Sequence, residues 1–255
     1  MENKGILPKG KKINGYCIRN FIKSYNEGKS ESYLVTNNEG EKYILKIFSG
    51  SKGRMPIEYK KCGLFQEPLG PFAQVVDSGD FVINGVNYHY LIRSTFEGAK
   101  IGSLIKQGKR FSWSEAKYVV SQILHGLQHL HKQKIPIVHN NITPNTVLID
   151  KSGGWEKVCL LGTSKLSQST ENVSEKLLDA MDKFFRAPET QLGKLDVRSD
   201  IYSVGALLYT MLFGPEYRNI ALSPVASLDD GELAYSIRLV TEPIVPFPIN
   251  RTDYN

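Results

Sequence analysis

The chain has 255 residues, 41% of them hydrophobic and 23% charged, and a formal net charge of +6. That composition excludes a disordered or low-complexity chain and suffices for a sizeable core, in one two-lobed domain or two small ones. The longest apolar run, Val204 to Phe213, is shorter than the roughly 18–20 residues of a membrane helix and reads as a buried core helix.

Cys17, Cys62 and Cys159 show no metal-type spacing, and the polar start Met-Glu-Asn-Lys-Gly lacks a signal-peptide pattern. A reduced, cytoplasmic protein without a membrane partner is therefore expected. The basic residues are dispersed, with short clusters only at Lys9 to Lys12 and Lys106 to Arg110, so no specific nucleic-acid partner is expected.

Alternation predicts a β-meander over 16–19, 32–36 and 42–48, with a turn at Asn37-Asn38-Glu39-Gly40. A short helix is expected over 56–63, limited by Gly63 and Pro68. Two more strands, over 74–83 and 88–93, flank an Asn84-Gly85 turn. From Ser112 to Lys132, Ala116, Val119, Val120, Ile123, Leu124, Leu127 and Leu130 recur at helical spacing after a Ser-x-x-Glu start. His125 and His129 are four apart on that helix and His131 follows, but a zinc site needs a third ligand and none is evident, so surface or capping histidines are expected.

Residues 137–150 read Ile-Val-His-Asn-Asn-Ile-Thr-Pro-Asn-Thr-Val-Leu-Ile-Asp. The stretch resembles the catalytic loop of the eukaryotic-type protein kinases, His-Arg-Asp-(Leu/Ile)-(Lys/Thr)-Pro-x-Asn. In that family the Asp accepts the substrate hydroxyl's proton and the Asn binds Mg²⁺; Asn141 and Thr146 hold those positions here. His139 keeps the first position, a packing role in the family, and Asn140 replaces the Arg that receives a phosphorylated activation segment.

Further resemblances follow in family order. The turn at 24–32 matches the glycine-rich loop, retaining only Gly28 and flanking it with Glu27 and Glu31, whose charges repel phosphate. Lys46, in Ile44-Leu45-Lys46, matches the Lys that holds the α- and β-phosphates, with Glu58, or failing it Glu67, as its ion-pair partner. On this register Arg93 falls at the back of the adenine pocket, where it reaches Glu58 or turns outward and in either case crowds adenine; a surface Arg at the strand end is the alternative. Residues 94–98, including Phe96, resemble the hinge.

The segment 157–166 resembles the strand and Asp-Phe-Gly motif, with Leu160 where the Mg²⁺-binding Asp stands and Gly162 retained. Arg186-Ala187-Pro188-Glu189 resembles the close of the activation segment, and 196–205 the start of the central helix, whose Asp200 is implied to brace the catalytic loop. Between them, Ser167, Ser169, Thr170 and Ser174 read as an unmodified polar loop. The family lobe runs on past 255 and includes an Arg that pairs with the carboxylate matched by Glu189. Either this chain is a fragment or Glu189 has another partner.

The resemblance implies one α+β domain over 1–255. Its small β-rich N-lobe covers about 12–95, a hinge about 94–99, and a mostly helical C-lobe, shortened at its C-terminal end, about 100–255. With base and metal ligands replaced, the expected function is a pseudokinase that binds a protein partner, an active kinase or another domain of the same chain. No cofactor is expected, though ATP without metal remains open. The rival readings are a metal-independent nucleotide sensor and an atypical kinase with rearranged chemistry.

Overall fold

The computed structural model describes residues 5–25, 30–50, 57–66, 70–150, 158–161, 166–168, 183–192 and 196–214. The chain divides into two compact units, Met1–Glu97 and Gly98–Asn255. Together they make the two-lobed kinase-like architecture, a β-rich N-lobe and a helical C-lobe.

The first unit contains β1 (Lys12–Ile13), β2 (Tyr16–Tyr25), β3 (Ser30–Thr36), β4 (Lys42–Ser49), the single-turn helix α1 (Ile57–Lys60), a 3-10 turn (Cys62–Phe65), β5 (Val75–Ile83) and β6 (Val86–Ser94). All six strands pair antiparallel in the order β1-β2-β3-β4-β6-β5. Two hairpins close on Asn14-Gly15 and Asn84-Gly85, whose four residues all have positive φ, the left-handed pair that a two-residue turn needs.

One face of this sheet is the lobe's core: Tyr33 and Val35 from β3, Leu45 and Ile47 from β4, Tyr90 and Ile92 from β6. The leading segment lies on that face, with Leu7 and Ile13 buried in the same cluster. Its amides are satisfied there, Leu7 N donating to the Tyr33 hydroxyl at 3.0 Å and Ile6 N to Glu31 Oε2 at 2.9 Å. The Tyr33 hydroxyl donates to Glu31 in turn, and burial pushes its pKa up. The β1–β2 turn also reaches the far end of the strand order, where Asn14 Nδ2 donates to Asp77 Oδ2 of β5 at 2.8 Å.

α1 packs on the opposite face, the Tyr59 ring lying 6.3 Å from Phe48 and 5.0 Å from His89 between centroids. Its hydroxyl donates to Asp80 Oδ1 at 2.8 Å, and burial followed by that bond pushes the Tyr59 pKa up to about 12.

The second unit contains β7 (Ala99–Lys100), α2 (Ile101–Lys106), α3 (Trp113–His131), β8 (Ile137–Val138), β9 (Val147–Ile149), β10 (Val158–Leu160), β11 (Ser167–Gln168), 3-10 turns at Lys183–Phe185 and Pro188–Leu192, and α4 (Val197–Phe213). Ser112 and Glu115 start α3 with reciprocal bonds, Glu115 N to Ser112 Oγ at 3.3 Å and Ser112 N to Glu115 Oε2 at 2.7 Å. α3 packs against α4, and Val119, Ile123, Leu127 and Leu130 of α3 and Val204, Leu207 and Met211 of α4 are all buried. The expected shortening of the C-lobe falls on 215–255, outside the described residues. Among the described residues no helix is long and apolar enough to cross a membrane.

Candidate functional site

In the helical unit the loop between β8 and β9 is held from below by α4. Asp196 caps that helix, its carboxylate accepting from Arg198 N at 2.8 Å, which places Asp200 in the first turn with 1% exposure. Asp200 Oδ2 accepts from His139 N at 2.8 Å and Oδ1 from Asn140 N at 3.0 Å. His131 Nε2, at the end of α3, lies 2.8 Å from Oδ2. One carboxylate thus ties two backbone amides and an imidazole, and between them the chain turns through Asn140 at φ 60°, a left-handed conformation that Asn tolerates better than most residues. His139 and Asn140 are buried, and Asn141 is half-buried.

Thr146 faces the loop itself. Its Oγ1 lies 2.7 Å from the Asn141 carbonyl and 3.0 Å from the Thr143 carbonyl, to which it donates, and it accepts from Thr143 N at 2.9 Å. Leu161 N then donates to Thr146 O at 2.7 Å, and β9 pairs with β10 so that Val147 stands opposite Leu160. Leu160 is 1% exposed. Thr146 thus carries an inward-bonded hydroxyl and Leu160 a buried aliphatic chain, side chains that do not hold a hard cation strongly. Asn141 has no proton affinity in the working range.

Two further contacts fix the loop's surroundings. Gly102 N of α2 donates to Pro144 O at 2.8 Å, and a Cβ on Gly102 would come 2.5 Å from Asn145 Oδ1. Glu189 Oε1 accepts from Ser199 Oγ at 2.8 Å. Burial, and secondarily the Glu189 charge, push Tyr202 up to about 12.

In the sheet unit, Lys46 is 5% exposed on β4, opposite Ser32 of β3 and Leu91 of β6. Its ammonium lies 5.0 Å from the centre of the Phe48 ring and 5.7 Å from that of Tyr25. Arg93 is half-buried on the same face, opposite Ile44 and Val75, and Phe96 is half-buried just past β6. Gly28 and Gly162 lie outside the described residues, as does the side chain of Glu58, whose backbone is in α1. The expected Lys46–Glu58 pair therefore falls outside them too. Of the Ser and Thr residues in the segment before Arg186, Ser167 is buried in β11, while Ser169, Thr170 and Ser174 lie outside. Among the described residues no three His, Cys, Asp or Glu side chains come together as a metal site.

His131 corrects the expectation of a surface or capping histidine, since it joins the Asp200 brace. Ser199, Lys23 and Tyr25 were also not singled out. Lys23 and Tyr25 carried a signal, two strand residues two apart and so on one face, but their approach to Lys46 depends on a register that the sequence does not display.

A sheet lobe, a helical lobe and a catalytic-type loop braced by the central helix define a protein-kinase-like domain. The sequence model of the Protein kinase domain family matches residues 30–224, well over half of the chain, and the chain belongs to that family. Ribosomal protein S6 kinase alpha-1 of Homo sapiens is 30% identical over 206 residues, 78% of this chain and 26% of that protein. Calcium-dependent protein kinase 4 of Plasmodium falciparum is 30% identical over 129 residues, covering 50% and 24%. A probable serine/threonine-protein kinase of Corynebacterium efficiens is 27% identical over 163 residues, covering 63% and 24%. The matched stretch is about a quarter of the length of these relatives.

Proposed function

We propose that this chain is a pseudokinase, a kinase-family domain that works as a protein-interaction or allosteric module in the cytoplasm rather than by phosphoryl transfer. The observation that carries the reading is the Thr146 hydroxyl, turned onto the Asn141 and Thr143 backbone where the family places a metal-binding amide. With Leu160 at the other metal position and Asn141 at the base, charge developing on a transferred phosphoryl group has nothing to neutralise it by the usual mechanism. Loss of the base alone is worth about 10²–10⁴ in rate, so the metal positions weigh more.

The preserved brace around Asp200 supports a role for shape. A braced loop without a base or metal ligand suits contact with a protein, either an active kinase or a neighbouring domain. The test is a phosphoryl-transfer assay with labelled ATP and Mg²⁺ or Mn²⁺, scoring both autophosphorylation and a generic protein substrate. Incorporation no greater than that of a Lys46→Met control is expected; turnover at about 1 s⁻¹ or above, the range of working kinases, would overturn the reading.

A further inference from the structure

Two turns of the sheet unit carry the same dipeptide. Asn14-Gly15 joins β1 to β2, with Ile13 paired to Tyr16, and Asn84-Gly85 joins β5 to β6, with Ile83 paired to Val86. Both asparagines are exposed and left-handed, at φ 44° and 49°. Asparagine is chemically labile, most so before glycine, which has no Cβ to shield its amide nitrogen.

What separates the two turns is a bond across the sheet. Asn14 Nδ2 donates to Asp77 Oδ2 at 2.8 Å, tying the turn beside one edge strand to the strand at the other edge. The same Oδ2 accepts from the Tyr90 hydroxyl at 3.1 Å, and Oδ1 accepts from Ser78 N at 2.9 Å. Position 14 must therefore supply a donor. A carboxylate there would face Asp77 with no proton to share and with like charge. Asn84 carries no such tie: among the described residues its side chain makes no hydrogen bond.

We propose that Asn14 is a site of spontaneous deamidation, that its bond to Asp77 sets the pace, and that its conversion unlocks the closure of the sheet. The Gly15 amide nitrogen attacks the Asn14 side-chain carbonyl carbon, the attacking nitrogen's proton leaves with the side-chain amide as ammonia, and a five-membered imide forms. Water then opens the ring at either carbonyl, giving aspartate or isoaspartate. Closing the ring takes the asparagine out of its turn conformation, so the reaction follows local opening of the turn. The bond to Asp77 opposes that opening at Asn14, while at Asn84 only the hairpin does. Once formed, the new carboxylate repels Asp77 and the turn does not lock again, so the change runs one way.

Ageing the whole chain at mildly alkaline pH, with peptide mass mapping of both turns, tests the rate. Asn84 is expected to convert at least threefold faster than Asn14, and Asp77→Ala to speed Asn14 at least threefold while leaving Asn84 unchanged. Asn84 is the internal control, since general unfolding would speed both turns alike. Thermal unfolding reads the consequence: Asn14→Asp lowers Tm, and adding Asp77→Asn, which again sets one donor against one acceptor, recovers most of the loss. The proposal is overturned by no conversion of Asn14 in either the wild type or Asp77→Ala, by equal rates at the two turns of the wild type, or by Asp77→Ala speeding both turns together. Asn14→Asp melting like the wild type, or the double variant melting no higher than Asn14→Asp, overturns it as well.

Discussion

Asp200 has 1% exposure and three partners, so removing its carboxylate strands two buried amides at once. Hydrogen bonds to a charged acceptor are worth about 1.5–3 kcal/mol each, and Asp200→Ala should cost about 3 kcal/mol or more in urea unfolding. At Asn140 the backbone sits at φ 60°. There Asn140→Gly should cost less than Asn140→Ala, by about 1 kcal/mol, because glycine adopts the left-handed conformation without a Cβ penalty. Asp200 could be picked out because a motif surrounds it, and Thr146 and Leu160 because they break one. His131 could not, since its partner is 69 residues away and nothing in a run of helical histidines marks which one turns inward. The inward turn of the Thr146 hydroxyl was equally hidden, because it depends on where the loop's carbonyls fall.

Among the elements, α3 offers the clearest pH test. Burial raises the Glu115 pKa, but Lys109 Nζ at 2.8 Å and the Ser112 backbone N–H outweigh it and hold the carboxyl below the usual range. A depressed carboxylate contributes stability above its unfolded pKa and loses it as pH falls through the folded value. Glu115→Gln should therefore lower Tm at neutral pH and flatten its fall below about pH 4.5, where ordinary glutamates titrate. Ser112→Ala should cost about 1 kcal/mol through the same cap. The strands were legible because 32–36 and 42–48 are short runs rich in aromatic and aliphatic residues on either side of the Asn37-Asn38-Glu39-Gly40 turn. The leading segment was not, since its two buried apolar residues, Leu7 and Ile13, follow no period. Register was also out of reach. Two irregularities in the β2–β3 pairing, between Ile18 and Asn20 and between Phe21 and Lys23, decide that Lys23 stands opposite Ser32.

For the molecule as a whole, the pseudokinase proposal can be tested by restoring the family's residues and measuring the result. A Leu160→Asp, Asn141→Asp, Thr146→Asn variant returns the family's base and metal ligands. Leu160 is 1% exposed, however, and a carboxylate there has to be desolvated, while replacing Thr146 removes the loop's own hydroxyl bonds. The variant is expected to be several kcal/mol less stable and to remain inactive in the phosphoryl-transfer assay. Activity in it would show that those three positions were the whole of the defect.

The brace on the catalytic-type loop also has a temporal side. Asp200 binds amides 60 and 61 residues earlier in the chain and an imidazole 69 residues earlier. Ties of that separation form only after the intervening chain has closed and α4 has docked on α3. In a stopped-flow chevron, Asp200→Asn should raise the unfolding rate about as much as it lowers stability and leave the folding rate nearly unchanged, a φ-value near zero. The loop that matches the family's catalytic loop is, on this account, among the last parts of its lobe to order and the first to open.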